Sequence, residues 1–282
     1  MPGTLFVVAT PIGNLEDVTL RALRVMREVS LIAAEDTRRT ARLLQHYSIS
    51  TRTTSLHEHN ERSKTPSLIA RLAAGESIAL VSDAGTPVVS DPGSHLVAAA
   101  HEAGIKVEPV PGPSAALAAL SASGLTGHGF IFAGFPPNRS KARQTWLARL
   151  AGEPRVLIFY EAPHRIRATL EDMLSALGDR TVALGRELTK MHEQLVVRPI
   201  SRHLEELEEE RGEFTLVVAG AKVGGTGDQE VPAPQQMARE FGELTNTATV
   251  GRREAIRTLA AKYSISSRDV FSLLERAKTS AE

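Results

Sequence analysis

The chain of 282 residues contains no cysteine. That excludes a disulfide framework and thiolate metal sites, and it fits a reducing compartment. No charged-then-apolar leader is present, and no run reaches the roughly 18 apolar residues of a membrane-spanning helix. A cytoplasmic enzyme is the expectation. Net charge is also missing: 33 Lys and Arg balance 33 Asp and Glu. No global field therefore draws the molecule to nucleic acid, and an RNA partner must be held by a local patch. Neither G-x-x-x-x-G-K-[ST] nor a G-x-G-x-x-G turn after a strand occurs, which disfavours P-loop NTPases and dinucleotide enzymes. What is present is 42% hydrophobic and 23% charged residues, the composition of an ordinary soluble protein. The length suits one large or two modest domains.

The organising stretch is Ile78 to Gly93, IALVSDAGTPVVSDPG. Its first four residues are too few for a helix and read as a buried strand of a parallel sheet. The small-residue loop after them lets a ligand approach backbone, at the strand end where open α/β sheets bind ligands. A plain strand-to-helix turn is the competing reading. Similar loops follow Leu5–Thr10 (Pro11 to Asp17) and Val107–Val110 (Pro111 to Ala115). Ser114 is placed to cap a helix from Ala115 to Ser121, whose start offers free N–H groups to a ligand carboxylate or polar edge.

Helices are also expected after Asp17 or Thr19, from Thr65 to Ala74 and from His95 to Ala103. Residues 1–125 thus alternate strand and helix, an α/β domain with a mainly parallel sheet. Glu35, Asp36, Arg38 and Arg39 gather at a strand end, either as an ion-pair cluster or as part of a substrate site. His57-Glu58-His59 reads as a polar loop, and no metal site is expected.

Residues 126–222 alternate again, a second α/β domain with strands at Phe130–Phe135, Val156–Tyr160, Thr181–Leu184 and Glu213–Ala219, and a helix from Ile166 to Leu177. Between Phe135 and Arg167 seven Lys and Arg face two acids, with Trp146 and Tyr160 interleaved. Such a patch suits phosphate contacts and base stacking, or is a solvated helix face. Glu205 to Glu210 reads as solvated surface. Residues 223–234 are a Gly- and Pro-containing linker. Residues 235–282 form a small helical domain in which Arg252 to Val270 resembles helix–turn–helix, for contact with RNA, a neighbouring part of the chain or a dimer mate.

Seven blocks carry a resemblance: ATPIGNLED (9–17), AAEDTRRT (33–40), SDAGTPVVSDPG (82–93), VPGPSA (110–115), FAGFPP (132–137), YEAPHR (160–165) and RELTKMHE (186–193). In this order, over about residues 4–222, they resemble the ribosomal RNA small-subunit methyltransferase I family of the tetrapyrrole (class III) methylase superfamily. The resemblance implies two α/β domains of the tetrapyrrole methylase type, with S-adenosyl-L-methionine in the cleft between them. It implies methyl transfer to the ribose 2′-hydroxyl of a cytidine in 16S rRNA, at the decoding centre of the 30S subunit, by a homodimer. Carried over by position, the cofactor contacts are Ile12 on the first loop and Thr86, Pro87 and Val89 on the central loop, supported by Asp83 and Gly85. Ser114 and Ala115 follow on the third loop, then Tyr160, Phe214 and Thr215 from the second domain. The first loop departs from the Gly-rich form of the tetrapyrrole branch.

For this chemistry a base can help remove the hydroxyl proton late in the reaction. The leading acids are Glu161, Glu187 and Asp36, with His164 and Glu193 also in view. Arg38, Arg139, Lys141, Arg143, Arg165 and Lys190 are the expected RNA contacts. A small-molecule methylase of the same superfamily and a non-catalytic RNA-binding assembly factor are the alternatives.

Overall fold

The first strand, β1 (Thr4–Val8), is an interior strand of a five-stranded parallel sheet, paired on both sides. This computed structural model describes residues 1–125, 127, 129–207, 211–221, 232–247, 251–263 and 265–279. Residues 222–231, which include most of the expected linker 223–234, and the acids Glu208, Glu209 and Glu210 lie outside the described residues. The first half continues with α1 (Leu20–Glu28), β2 (Leu31–Ala34), α2 (Thr37–His46), β3 (Thr53–Ser55), α3 (Glu61–Ala73), β4 (Ile78–Val81), α4 (Ser94–Glu102), β5 (Lys106–Val110) and α5 (Ala115–Ser123). The sheet order is β3-β2-β4-β1-β5.

Strand periodicity explains why β4 is apolar throughout. Ile78 and Leu80 enter the core with Leu68, Leu72 and Leu96, while Ala79 and Val81 enter the opposite core with Val25 and Met26. A parallel sheet covered on both faces wants this composition. Thr19 caps α1, its Oγ1 accepting the Ala22 N–H at 3.1 Å. Leu20, the first residue of α1, is exposed, while Ala22, Leu23, Val25 and Met26 are buried. α3 begins four residues before the expected Thr65, with Pro66 inside it.

The second half contains β6 (Phe130–Phe132), α6 (Ser140–Arg149), β7 (Val156–Glu161), α7 (Ile166–Leu177), β8 (Thr181–Arg186), β9 (Gln194–Pro199), α8 (Ile200–Glu206) and β10 (Phe214–Val218). Its sheet runs β6-β7-β10-β8-β9. Only β6–β7 is parallel; the other three pairings are antiparallel. Strand β9, which the sequence reading does not contain, forms a hairpin with β8.

Met1–Ala221 is one compact unit. Ala116 and Ala119 of α5 pack with Val156, Ile158, Ala183 and Val217 of the second sheet, so the last helix of the first half belongs to the core of the second. Lys222–Glu282 is the other unit. It holds α9 (Pro234–Thr247), α10 (Arg252–Lys262) and α11 (Ser267–Thr279) around Met237, Leu259, Tyr263, Val270 and Leu274. No described helix is long and apolar enough to cross a membrane.

Candidate functional site

Backbone bonds stitch together the loops after β1, β4 and β5. The Thr10 and Gly85 N–H groups each donate to the other residue's carbonyl, at 2.9 and 3.0 Å. Thr10 Oγ1 donates to Ser82 O at 3.2 Å, and Thr86 Oγ1 to Pro113 O at 3.2 Å. Gly85 sits at φ +82°, a region that side chains avoid, and a Cβ there would stand 3.4 Å from Ile12 Cγ2. Val88 and Ser90 also have positive φ, 73° and 67°. A β-branched residue in that region persists only where its surroundings over-determine it, a condition concentrated at functional sites.

The far end of this loop is anchored by Glu61, whose buried Oε1 accepts the N–H groups of Gly93 (3.1 Å), His95 (2.7 Å) and Leu96 (3.3 Å). One carboxylate thus satisfies the free donors at the start of α4.

Ser114 stands at the cap position of α5, but its side chain makes no capping bond. The Ala116 N–H instead donates to Tyr160 Oη at 3.2 Å. Phe132 and Phe135 meet the Tyr160 ring edge-on, with centroids at 4.9 and 5.6 Å. Burial raises the phenol above its ordinary pKa, against the hydrogen bonds from Ala116 and Ser114.

Together these elements enclose a cleft of about 390 Å³. Ile12, Asp83, Gly85, Thr86, Val89, Ser114, Ala115, Tyr160, Phe214 and Thr215 all line it; Pro87 does not. Glu35 and Arg39, of the strand-end charge cluster, line it too, as do Asp91, Phe135, Leu188 and Glu213, which the sequence does not single out as contacts. Glu35 directly follows β2, and Asp91 lies near the end of the loop after β4; both fall inside quoted blocks.

The acids are interlocked. Glu35 Oε2 accepts the Asp83 N–H at 3.2 Å, and Asp83 accepts the Asp36 N–H at 2.8 Å. Arg39 lies 3.5 Å from the Asp83 carboxylate. Burial raises the Glu35 pKa. Burial also pushes Asp91 up to about 6, reinforced by Glu35 and Asp83 and opposed by a hydrogen bond with Ser82.

Among the three leading bases, only Glu161 lines the cleft. Its carboxylate is buried and engaged by Thr169 Oγ1 (2.5 Å), the Ala162 N–H (2.7 Å) and Arg165 Nε (3.2 Å). Asp36 caps α2, accepting the Arg38 N–H at 2.9 Å. Its hydrogen bonds to Arg38 hold its carboxyl well below the usual range. Glu187 accepts from Lys190 Nζ at 2.8 Å and the Glu213 N–H at 2.9 Å. His164 and Glu193 are exposed and do not line the cleft.

The expected RNA contacts separate in the same way. Arg38, Arg139 and Lys141 are exposed. Arg165 is turned inward onto Glu161, Asn138 and the Pro136 carbonyl. Lys190 bridges Glu187 and Glu213. Arg143 corrects the sequence reading: it is 4% exposed, paired with Asp172 at 2.6 Å, and cannot meet a phosphate.

Residues 4–203 match the family described as Tetrapyrrole (Corrin/Porphyrin) Methylases. Among solved structures, the methyltransferase CobJ superposes with a TM-score of 0.60 at 22% identity, covering 78% of this chain and 95% of that one. Uroporphyrin-III C-methyl transferase from Thermus thermophilus, complexed with S-adenyl homocysteine, gives 0.56 at 20% identity, covering 77% and 97%. The fold is therefore that of a class III methylase. The ribosomal RNA small subunit methyltransferase I of Pseudomonas aeruginosa is 52% identical over 223 residues, 77% of this chain and 79% of that one. Its namesake in Synechocystis sp. is 46% identical over 276 residues, 96% and 97% of the two chains. The chain belongs to the ribosomal RNA small subunit methyltransferase I family, within the tetrapyrrole methylases.

Proposed function

We propose that this protein methylates the ribose 2′-hydroxyl of a cytidine in 16S rRNA, at the decoding centre of the 30S subunit, acting in the cytoplasm as a homodimer. Its family makes it a methyltransferase of ribosomal RNA that uses S-adenosyl-L-methionine. The nucleoside, oxygen and location follow from the seven-block resemblance.

The observation that carries the reading is the convergence of three strand-end loops of the first sheet with β7 and β10 on one cleft. Its volume suits a small-molecule cofactor. The residues present fit S-adenosyl-L-methionine. Ile12, Val89, Ala115 and Leu188 offer apolar wall, and Glu35, Asp83 and Asp91 offer negative charge to a cationic ligand. When bound, the cofactor supplies a methyl carbon already activated by its sulfonium.

The chain must then align the ribose oxygen behind that carbon, exclude water and receive a proton. Fixed loops serve the alignment: Gly85 is bonded to Thr10, Thr86 to Pro113, and the start of α4 to Glu61. For the proton we favour Asp91 over the acids chosen from sequence. It lines the cleft, and with a pKa of about 6 it is a stronger base than an ordinary aspartate while still ionised at neutral pH. Glu161 acts as a positioning residue, holding the turn at the end of β7.

The test is methyl transfer from radiolabelled S-adenosyl-L-methionine to undermethylated 30S subunits, followed by nucleoside analysis. Label in 2′-O-methylcytidine is the expected result. Label only on naked rRNA would remove the assembled subunit from the reading. Label on a tetrapyrrole acceptor and none on RNA would favour the small-molecule alternative. RNA binding that survives Thr86→Ala, with no transfer to any acceptor, would favour an assembly factor.

A further inference from the structure

A second hollow, of about 340 Å³, adjoins the cleft. Arg39 and Asp83 line both. The first loop contributes Pro11 and Leu15, and α2 contributes Arg42 and Leu43.

Helix α2 sets Arg38, Arg39 and Arg42 at three- and four-residue spacings, so their charges share one side of the helix and work against it. Asp36 relieves Arg38 at 2.7 Å, and Asp83 relieves Arg39 at 3.5 Å. Arg42 is exposed and has no hydrogen bond or ion pair among the described residues. An uncompensated guanidinium thus stands at the rim of a hollow with apolar wall. The acid in that hollow, Asp83, is engaged by Arg39 and by the Asp36 N–H.

The main cleft has the opposite character. Glu35, Asp83, Asp91, Glu161 and Glu213 line it against the single arginine Arg39. Such a lining repels a polyanion, so the phosphates of an RNA substrate must be held outside it. The nearest place with the required chemistry is the α2 hollow, where a guanidinium meets a phosphate oxygen and an apolar wall meets a base.

Resting on the function proposed above, we infer that this hollow seats a nucleotide flanking the methylated one, with Arg42 and Arg39 on its phosphate and Pro11, Leu15 and Leu43 against its base. Arg42 is then a determinant of RNA affinity that plays no part in holding the cofactor.

The experiment compares wild type with Arg42→Ala, Arg42→Glu and Arg42→Lys. Thermal unfolding checks the fold, and calorimetry reads S-adenosyl-L-methionine affinity. Steady-state methylation of 30S subunits is followed over a range of salt concentrations. Arg42→Ala should raise KM for the subunit about tenfold, the scale of one charged hydrogen bond. Arg42→Glu should raise it further, and Arg42→Lys should restore most of the loss. With kcat and cofactor affinity unchanged, the salt slope should fall by about one. Wild-type KM and salt slope in Arg42→Glu would overturn the inference. So would a loss of cofactor affinity that matches the rise in KM. If the wild type itself transfers no methyl to RNA, the functional reading fails separately. The inference is then decided by anisotropy of a labelled single-stranded oligoribonucleotide: weaker binding to Arg42→Glu supports it, and equal binding overturns it.

Discussion

The Ala116 N–H donates to Tyr160 Oη at 3.2 Å, so a helix start of the first sheet's last crossover is satisfied by a strand of the second sheet. The same tyrosine lines the cleft. Tyr160→Phe keeps the ring against Phe132 and Phe135 and removes only the acceptor. The expected loss is about 1 kcal/mol of stability, the net worth of an ordinary hydrogen bond, together with weaker S-adenosyl-L-methionine binding. Denaturant unfolding and calorimetry read the two effects. Unchanged cofactor affinity would mean that the bond serves folding alone.

Asp91 couples activity to stability through its raised pKa. In the unfolded chain an aspartate ionises near pH 4, whereas in the fold it does so at about 6. Below the unfolded pKa both states are protonated and Asp91 has no electrostatic effect on stability. Between the two values the unfolded state binds fewer protons, so stability falls as pH rises. Asp91→Asn should therefore raise Tm at pH 8, with most of the advantage lost by pH 4. Activity should move the other way, with kcat about 10²–10⁴-fold lower if Asp91 is the proton acceptor. In the wild type kcat/KM should climb through about pH 6, and this limb should vanish in the variant. A variant that keeps both the rate and the limb would return the search to the other acids of the cleft.

Arg143 and Asp172 form a buried pair, their side chains 5% and 10% exposed. Removing one partner of such a pair costs about 3–5 kcal/mol, because the other charge is left uncompensated. Arg143→Ala should lower the denaturant midpoint strongly, and adding Asp172→Leu should recover much of the loss. Arg139→Ala and Lys141→Ala, at exposed positions on the same segment, should leave stability within about 0.5 kcal/mol and reduce only RNA affinity. Equal stabilities of the Arg143 and Lys141 variants would contradict the buried pairing.

These contrasts show what the sequence can carry. Strand β4 was legible because four apolar residues end in Ser82-Asp83-Ala84-Gly85, and α7 because Gly178 stops it. The loops of small residues pointed to the cleft for the same reason: Gly and Pro mark backbone that must turn or be approached closely. Strand β9 was not legible. It lies at a sheet edge, where Val196 and Val197 are both exposed. The chain turns from β8 toward β9 through Glu187 and Thr189 at φ 50° and 67°, without the glycine that usually marks such a turn. The fate of Arg143 was hidden as well, since its partner lies 29 residues away on α7. A run of basic residues does not say which member turns inward. Asp91 could be read as a turn residue, but its raised pKa depends on burial, and beside its loop neighbour Asp83 it also faces Glu35, which comes from the end of β2.

Glu61 does not line the cleft, yet it controls the end of the loop that does. Between the Gly85 bridge to Thr10 and the Gly93 bond to Glu61, the chain carries Thr86, Val89 and Asp91 into the site. Val88 and Ser90 are held there in left-handed conformations, which cost free energy and are expected to relax if an anchor is lost. Only glycine fits at position 93: it sits at φ +121°, and a Cβ would come within 2.6 Å of Leu80 Cδ2. Glu61→Ala leaves three N–H donors without their carboxylate, for an expected loss of about 2 kcal/mol or more. Glu61→Gln keeps an acceptor oxygen and should retain most of the stability. S-adenosyl-L-methionine affinity should follow the same order, wild type above Glu61→Gln above Glu61→Ala, measured at a temperature where all three remain folded. Hydrogen exchange across residues 82–93 should rise with the loss of affinity. Wild-type affinity in a folded Glu61→Ala protein would show that the loop is shaped by its bond to Thr10 alone and that the anchor at α4 is purely structural.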